Sequence, residues 1–332
     1  MIGQGRQIFV DELKQFATEV ANSRCTAIAD RLAAPLRVAV SGRRGVGRST
    51  VAHALARAAD LRGTFTVTSG EADVDVYVIA EVVKPEDRAA IAAAGRPVVA
   101  ALNKSDLIAS TQPGRHPHGP TSAARKRCAE LSPRIGLPIE PVVGLLAVAV
   151  LDGVLDDTLW IALQVLAGRP GGRSVTVELR GRLLDTLDRF GTAQAVAAIR
   201  RGATRDQTRA VLRHLSCIDG LVDKIGSVGA QVHYRRMLDA VAELETLAVT
   251  DVGVGEFLLR DDTVVARMAA AVDVVEAAGM NVDRCDSAAA YLRRGEKWQR
   301  YSDGPVTCLH RACGADIVRG SLRLWSKVGS SA

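Results

Sequence analysis

Two short stretches carry residues whose types and spacing could do chemistry. The first is Gly42-Arg43-Arg44-Gly45-Val46-Gly47-Arg48-Ser49-Thr50. Glycines let successive backbone N–H groups converge on one point, where they could cradle phosphate oxygens. A helix beginning there would add the positive end of its dipole. The stretch fits G-x-x-x-x-G-K-[ST] at every position but one, because Arg48 stands where lysine is expected. A guanidinium keeps the charge but is a wide planar fork, whereas an ammonium is a compact point. Phosphate binding is therefore expected, and the usual contact to the terminal phosphates is in question. Ser49 stands where a hydroxyl would meet Mg²⁺. The competing reading is a glycine-rich turn that binds nothing.

The second stretch is Asn103-Lys104-Ser105-Asp106, at the end of an apolar run. The Asp106 carboxylate can accept hydrogen bonds from both the N1–H and the exocyclic amine of guanine, a pair of donors adenine does not offer. The Lys104 stem can lie along a base plane, and Asn103 would tie this loop to the phosphate loop. The competing reading is a polar loop at a strand end.

Elements must position these residues. Leu36–Ser41 reads as a buried strand, followed by the glycine loop and a helix from about Ser49 to Ala59. Phe65–Thr68 and Val74–Ala80 are further strands. Pro85 starts a helix that Gly95 stops. "RPVVAALNKSDL" is a strand running into a loop, Pro113–Pro120 a turn-rich loop, and "LPIEPVVGLLA" a strand leading into a turn. Strands alternating with helices imply a mostly parallel sheet. Upstream, Asp11–Leu32 reads as one amphipathic helix with Leu13, Phe16 and Val20 on its apolar stripe. Beyond Asp152 the strand signals stop and helical spacing takes over, interrupted by the linker Ala167–Ser174, so a helical bundle is expected.

With both motifs in this order and on these elements, the segment from about Leu36 to Ala147 resembles the P-loop GTPases of the Era, TrmE and dynamin-like group. The resemblance implies an α/β G domain at 35–151, flanked by an N-terminal amphipathic helix at 1–34 and a helical domain at 152–332. It implies binding of GTP and GDP, with Mg²⁺ at Ser49. It also places Gly144 and Leu145, within Val143–Leu146, where the family carries a guanine-contacting turn after its last strand. The chain departs from the family in three ways besides Arg48. The D-x-x-G motif has only Val67–Gly70 as a counterpart, with Val67 in the acid's place. No switch threonine is clear among Thr64, Thr66 and Thr68, and the short spacing from Gly42 to Asn103 trims both switch segments. Asp73 and Asp75 precede the run "VYVIA" rather than end it. Arg43 or Arg44 could serve as an internal arginine finger. Hydrolysis is accordingly expected to be weak or partner-dependent. A scaffold that keeps the fold without turnover is the alternative, and a P-loop ATPase or kinase a second one.

Bulk properties bound the rest. The chain has 332 residues, a formal net charge of +6, 24 % charged and 48 % apolar residues. That is ordinary globular composition, with a protein partner or an oligomer expected ahead of nucleic acid, and peripheral membrane contact left open. Six cysteines in a chain this long make no disulfide framework, and the amphipathic N-terminus does not read as a signal peptide, so a cytoplasmic location is expected. Cys308, His310 and Cys313 have metal-ligand types but read as ordinary packing. His116 and His118 read as solvated, and Trp298, Tyr301 and Trp325 as closing a bundle core.

Overall fold

The computed structural model describes residues 4–110, 120–168 and 175–329. The loop expected at Pro113–Pro120, with His116 and His118, and most of the linker Ala167–Ser174 lie outside the described residues. The chain divides into two compact units, Leu36–Ile225 and a second made of Met1–Pro35 with Gly226–Ala332.

The N-terminal segment forms two helices rather than one, α1 (Gln4–Glu19) and α2 (Ser23–Ala33). Ala21 takes a positive φ, and the Asn22 side chain accepts hydrogen bonds from the N–H groups of Arg24 and Cys25, capping α2. The break leaves Val20 exposed, while Leu13 and Phe16 stay buried.

Five strands follow: β1 (Leu36–Gly42), β2 (Phe65–Val67), β3 (Val74–Ala80), β4 (Val98–Asn103) and β5 (Ile139–Pro141). They form one all-parallel sheet in the order β2-β1-β3-β4-β5. Val38, Val76, Ile79 and Leu102 are fully buried, as expected of parallel strands covered on both faces. Crossovers run through α3 (Arg48–Arg62), α4 (Pro85–Ala92), and the pair α5 (Asp106–Ser110) and α6 (Pro120–Leu131). The strand order changes direction between β1 and β3. In open parallel sheets of this kind, ligands settle at that switch point, outside the carboxyl ends of the strands.

Four helices complete this unit: α7 (Gly144–Leu151), α8 (Asp157–Leu166), α9 (Val177–Arg200) and α10 (Arg205–Ser216). They share an apolar cluster that includes Leu146, Leu159, Leu163, Leu187 and Leu212. Helix α9 is broken at Asp188, whose φ of 57° and ψ of −178° are not helical. Cys217, at φ 57°, ends α10 and separates it from the helix that follows. The next helix, α11 (Ile218–Ala248), is continuous, and the boundary between units falls inside it.

The second unit contains the remaining helices, α12 (Val252–Leu259), α13 (Asp261–Ala277), α14 (Ala288–Ser302) and α15 (Cys308–Gly329). Its core joins both chain ends: Phe9, Leu13 and Phe16 of α1 cluster with Phe257, Val274 and Trp298. Trp298 is buried as expected and Tyr301 packs edge-on against it at 5.0 Å, but Trp325 is exposed. Among the described residues, no helix is long and apolar enough to cross a membrane.

Candidate functional site

The glycine loop leaves β1 at the sheet's switch point, where Gly42 is in register with Val78 of β3. Two of its glycines are dictated by close approach. A Cβ on Gly42, at φ 138°, would lie 2.4 Å from the Val78 carbonyl oxygen. One on Gly47, at φ 88°, would lie 2.3 Å from Asn103 Nδ2. Gly47 is also the residue that enters α3, and it offers no side chain to cap it; no acidic residue stands in the first turn. The first N–H groups of α3 are therefore left for an outside acceptor. Arg44, Arg48 and Ser49 are exposed, with Thr50 half-buried behind them. Neither Arg44 nor Arg48 forms an ion pair among the described residues.

Asn103 joins the two motifs. Its Nδ2 donates to the Val46 carbonyl at 2.9 Å, and its Oδ1 accepts from Gly144 N at 2.9 Å. One buried amide thus links the glycine loop, the end of β4 and the first residue of α7. Gly144 is needed for that approach, since a Cβ there would lie 3.0 Å from Asn103 Oδ1. Lys104, at φ 58°, donates from Nζ to the Gly45 carbonyl at 3.2 Å, so its stem crosses over the loop. Ser105 is held by its hydroxyl on the Val142 carbonyl at 3.1 Å. Leu145 is 38 % exposed, on the first turn of a helix rather than in a turn.

Asp106 opens α5 and is only 8 % exposed, with no side-chain partner among the described residues. Burial pushes its carboxyl above the ordinary value; Asp188 adds to that, while its own N–H and Lys104 oppose it. The gap behind Asp106, toward Phe190, Leu215 and Cys217, holds only about 10 Å³, roughly the minimum for one water.

Arg43 is already committed. Its Nε donates to Asp87 Oδ1 at 2.7 Å, and Asp87 is fully buried. The same carboxylate accepts from Tyr77 OH at 3.1 Å and from Lys84 N at 2.8 Å. Burial alone would raise the Asp87 pKa, but these three donors outweigh it and hold the carboxyl below its ordinary value. The Tyr77 hydroxyl is pushed up to about 12, by burial first and by Asp87 second. Arg43 is therefore anchored through Nε to the start of α4. Asp87 and Tyr77 were not singled out in the sequence. The Lys84-Pro85-Glu86-Asp87 run announces a helix start, and nothing in its spacing ties Asp87 to Arg43.

The residues that would support Mg²⁺ are sparse. Val67 ends β2, and the following Thr68 is occupied locally, its N–H on Val38 O at 2.9 Å and its Oγ1 accepting from Gly70 N at 3.1 Å. Asp73 accepts from Arg37 N at 2.8 Å and Asp75 from Ser41 Oγ at 2.9 Å. Asp75 pairs in register with Ala39, and its Oδ1 is taken by Ser41, the residue before the glycine loop. Among the described residues the loop itself offers the hydroxyls of Ser49 and Thr50 and no carboxylate, and that donor set fits a resident metal poorly. Among the described residues no group of three His, Cys, Asp or Glu is arranged to hold a metal. In the C-terminal cluster, His310 Nδ1 bonds Tyr301 OH at 2.6 Å and Cys313 is buried, its thiol pushed up to about 12.

No protein-family model matches this chain, and no curated protein is similar to it in sequence.

Proposed function

We propose that this chain binds guanine nucleotides and hydrolyses GTP slowly, or only with a partner. The observation that carries this reading is the double hydrogen bond of Asn103, which joins the glycine loop to Gly144 at the sheet's switch point, three residues before Asp106. The uncapped start of α3, with exposed Arg44 and Arg48 beside it, suits a polyphosphate. Asp106, buried without a side-chain partner among the described residues, suits a base that brings two donors. Such a base would approach from the side of Lys104 and Leu145, since the gap behind Asp106 is too small.

Slow turnover follows from what accompanies the loop. Efficient hydrolysis needs a supported metal, an oriented water and charge stabilisation at the transition state. Arg43 is tied to Asp87, and among the described residues no group of three His, Cys, Asp or Glu is arranged to hold a metal. The scaffold reading draws on that same locked cluster, in which GTP and GDP would be held alike. A ligand with equal affinity for two states shifts neither.

Equilibrium titration with fluorescent GDP, GTP and ATP, with and without Mg²⁺, tests the proposal. GDP and GTP are expected to bind with similar affinity and weak Mg²⁺ dependence, ATP far more weakly. Turnover should fall well below the roughly 1–10³ s⁻¹ of typical enzymes. Asp106→Ala should abolish GDP binding while leaving the circular dichroism spectrum unchanged. Equal affinities for GDP and ADP in the wild type would refute guanine reading, and rapid Mg²⁺-dependent hydrolysis would refute slow turnover.

A further inference from the structure

Helices α1, α13, α14 and α15, with the segment joining α13 to α14, line a half-open cavity of about 240 Å³. An apolar cavity of about 150 Å³ already accepts benzene, so this one has room for a larger body. Ile8, Val272, Val282 and Leu324 supply apolar wall. The polar lining is divided. Arg294, which is 6 % exposed, lies on α14, whereas Asp283 and Asp286 are exposed.

Arg294 is an unusual buried charge. Its Nε donates to Ser321 Oγ at 2.8 Å and its Nη1 to the Asp283 carbonyl at 2.8 Å, both neutral acceptors. Its Nη2 is buried with no hydrogen-bond partner. The guanidinium also lies over the Tyr291 ring, 5.1 Å from the centroid. Burial lowers its pKa from the ordinary value. A buried guanidinium that lacks a carboxylate bond is costly, and a ligand acceptor that reached it, with the side chain turning to meet it, would relieve that cost.

The remaining lining charges are Asp273, Asp283, Arg284 and Asp286; Asp273 is buried, and its Oδ2 accepts from Gly5 N at 3.3 Å. Arg284 also lines the cavity but is paired with Glu276 at 2.6 Å. Asp283 Oδ1 accepts from Cys285 N at 3.0 Å and Asp286 Oδ1 from Tyr291 OH at 3.2 Å, which leaves a second oxygen on each. A simple anion would meet these carboxylates unfavourably, and a simple cation would meet Arg294 unfavourably. A molecule with one head of each sign, close together on an apolar body, satisfies both.

We propose that this cavity binds a small apolar α-amino acid. Its carboxylate would meet Arg294, its ammonium Asp283 and Asp286, and its side chain would lie along Ile8, Val272, Val282 and Leu324. The site is remote in kind from nucleotide binding and does not depend on it.

Calorimetric titration of the full chain with L-valine, L-leucine, L-methionine and L-phenylalanine tests this, without nucleotide. At least one should saturate below about 10 mM, the weak end of a specific small-molecule site. For leucine, the single-headed analogues isoamylamine and 4-methylpentanoate should each bind at least about tenfold more weakly, since each leaves one set of polar groups unmatched. Arg294→Gln should lose amino-acid binding. Because that residue is buried, Asp286→Asn at the exposed rim provides a second variant, expected to weaken amino-acid binding about tenfold with melting unchanged. The proposal is overturned if none of the four amino acids saturates, if 4-methylpentanoate matches leucine, or if Asp286→Asn binds as the wild type does.

Discussion

Asp106 and Asp87 are both buried carboxylates, and their surroundings push them in opposite directions. Asp106 has no side-chain partner, and burial raises its pKa. A group whose folded pKa is raised contributes favourably below its unfolded pKa, and that contribution is lost as pH rises through the folded value. At neutral pH its ionised form therefore works against the fold, and the ligand's donors are what would make it favourable. Asp106→Asn keeps the shape and removes the charge. It should stabilise the ligand-free chain at pH 7 by the ~0.5–2 kcal/mol typical of stabilising substitutions, while GDP binding is lost. Urea denaturation at pH 7 and pH 4 checks this, the gain being expected to shrink toward pH 4. A destabilised Asp106→Asn at pH 7 would mean that an unrecognised donor already serves the carboxylate. Asp87 is the converse: three donors hold its pKa down, so its contribution is present above its unfolded pKa and is lost as pH falls through the folded one.

The break in α9 illustrates how an element departs from its own pattern. Asp188 combines φ 57° with ψ −178°, a region that only glycine adopts without cost. On either side, Leu187 is buried in the cluster of α7–α10, and a Cβ on Gly191 would lie 3.0 Å from Leu146 Cδ1. Both halves of α9 therefore pack closely, and the backbone between them takes up the mismatch. Strain at such a residue is worth about 1–3 kcal/mol. Glycine would relieve it at an entropic cost of roughly 0.5–1 kcal/mol. Asp188→Gly should raise stability by about 1 kcal/mol, read as a higher urea midpoint at constant slope. It also removes a charge that disfavours ionised Asp106, so it should not weaken GDP binding. A lower midpoint would show that the Asp188 side chain, whose Oδ1 accepts from Arg189 N at 2.6 Å, stabilises the break more than the strain opposes it.

At the scale of the whole molecule, the two ends of the chain build one unit and the middle builds the other. The N-terminal helices are part of a core rather than an appendage. Phe16 stacks on Phe257 with centroids 4.7 Å apart, and Phe9 meets the same ring edge-on at 6.4 Å. Phe16→Ala removes a buried ring and leaves a cavity, which typically costs ~3–5 kcal/mol. A chain with two cores need not unfold in one step. Trp298 and Trp325 lie in the unit that contains Phe16, and Trp160 lies in the other. Thermal melts of single-tryptophan variants should show the Phe16→Ala loss at Trp298 first. An unchanged midpoint at Trp298 would remove α1 from the core.

The sequence by itself determined the parallel α/β section, because its strands are continuous apolar runs closed by glycine, proline and polar turns. It also marked the two motifs, since a glycine loop and an N-K-S-D loop are local in composition. Helix breaks at Asn22 and Cys217 and the kink at Asp188 were not legible from helical spacing, which continues across all three. A cap or a left-handed residue needs only one position to redirect a chain, while periodicity averages over many. The tertiary structure alone decided the fate of individual charges. Arg43 and Arg44 are neighbours of one type, yet only the first is anchored, by an acid from the start of α4. Asn103 reaches Val46 and Gly144 because β1, β4 and α7 end at the same place. Arg294 looks in sequence like any helical surface arginine, but packing of α13–α15 buries it beside a cavity. Burial and partnership depend on residues distant in the chain, and no local pattern carries them.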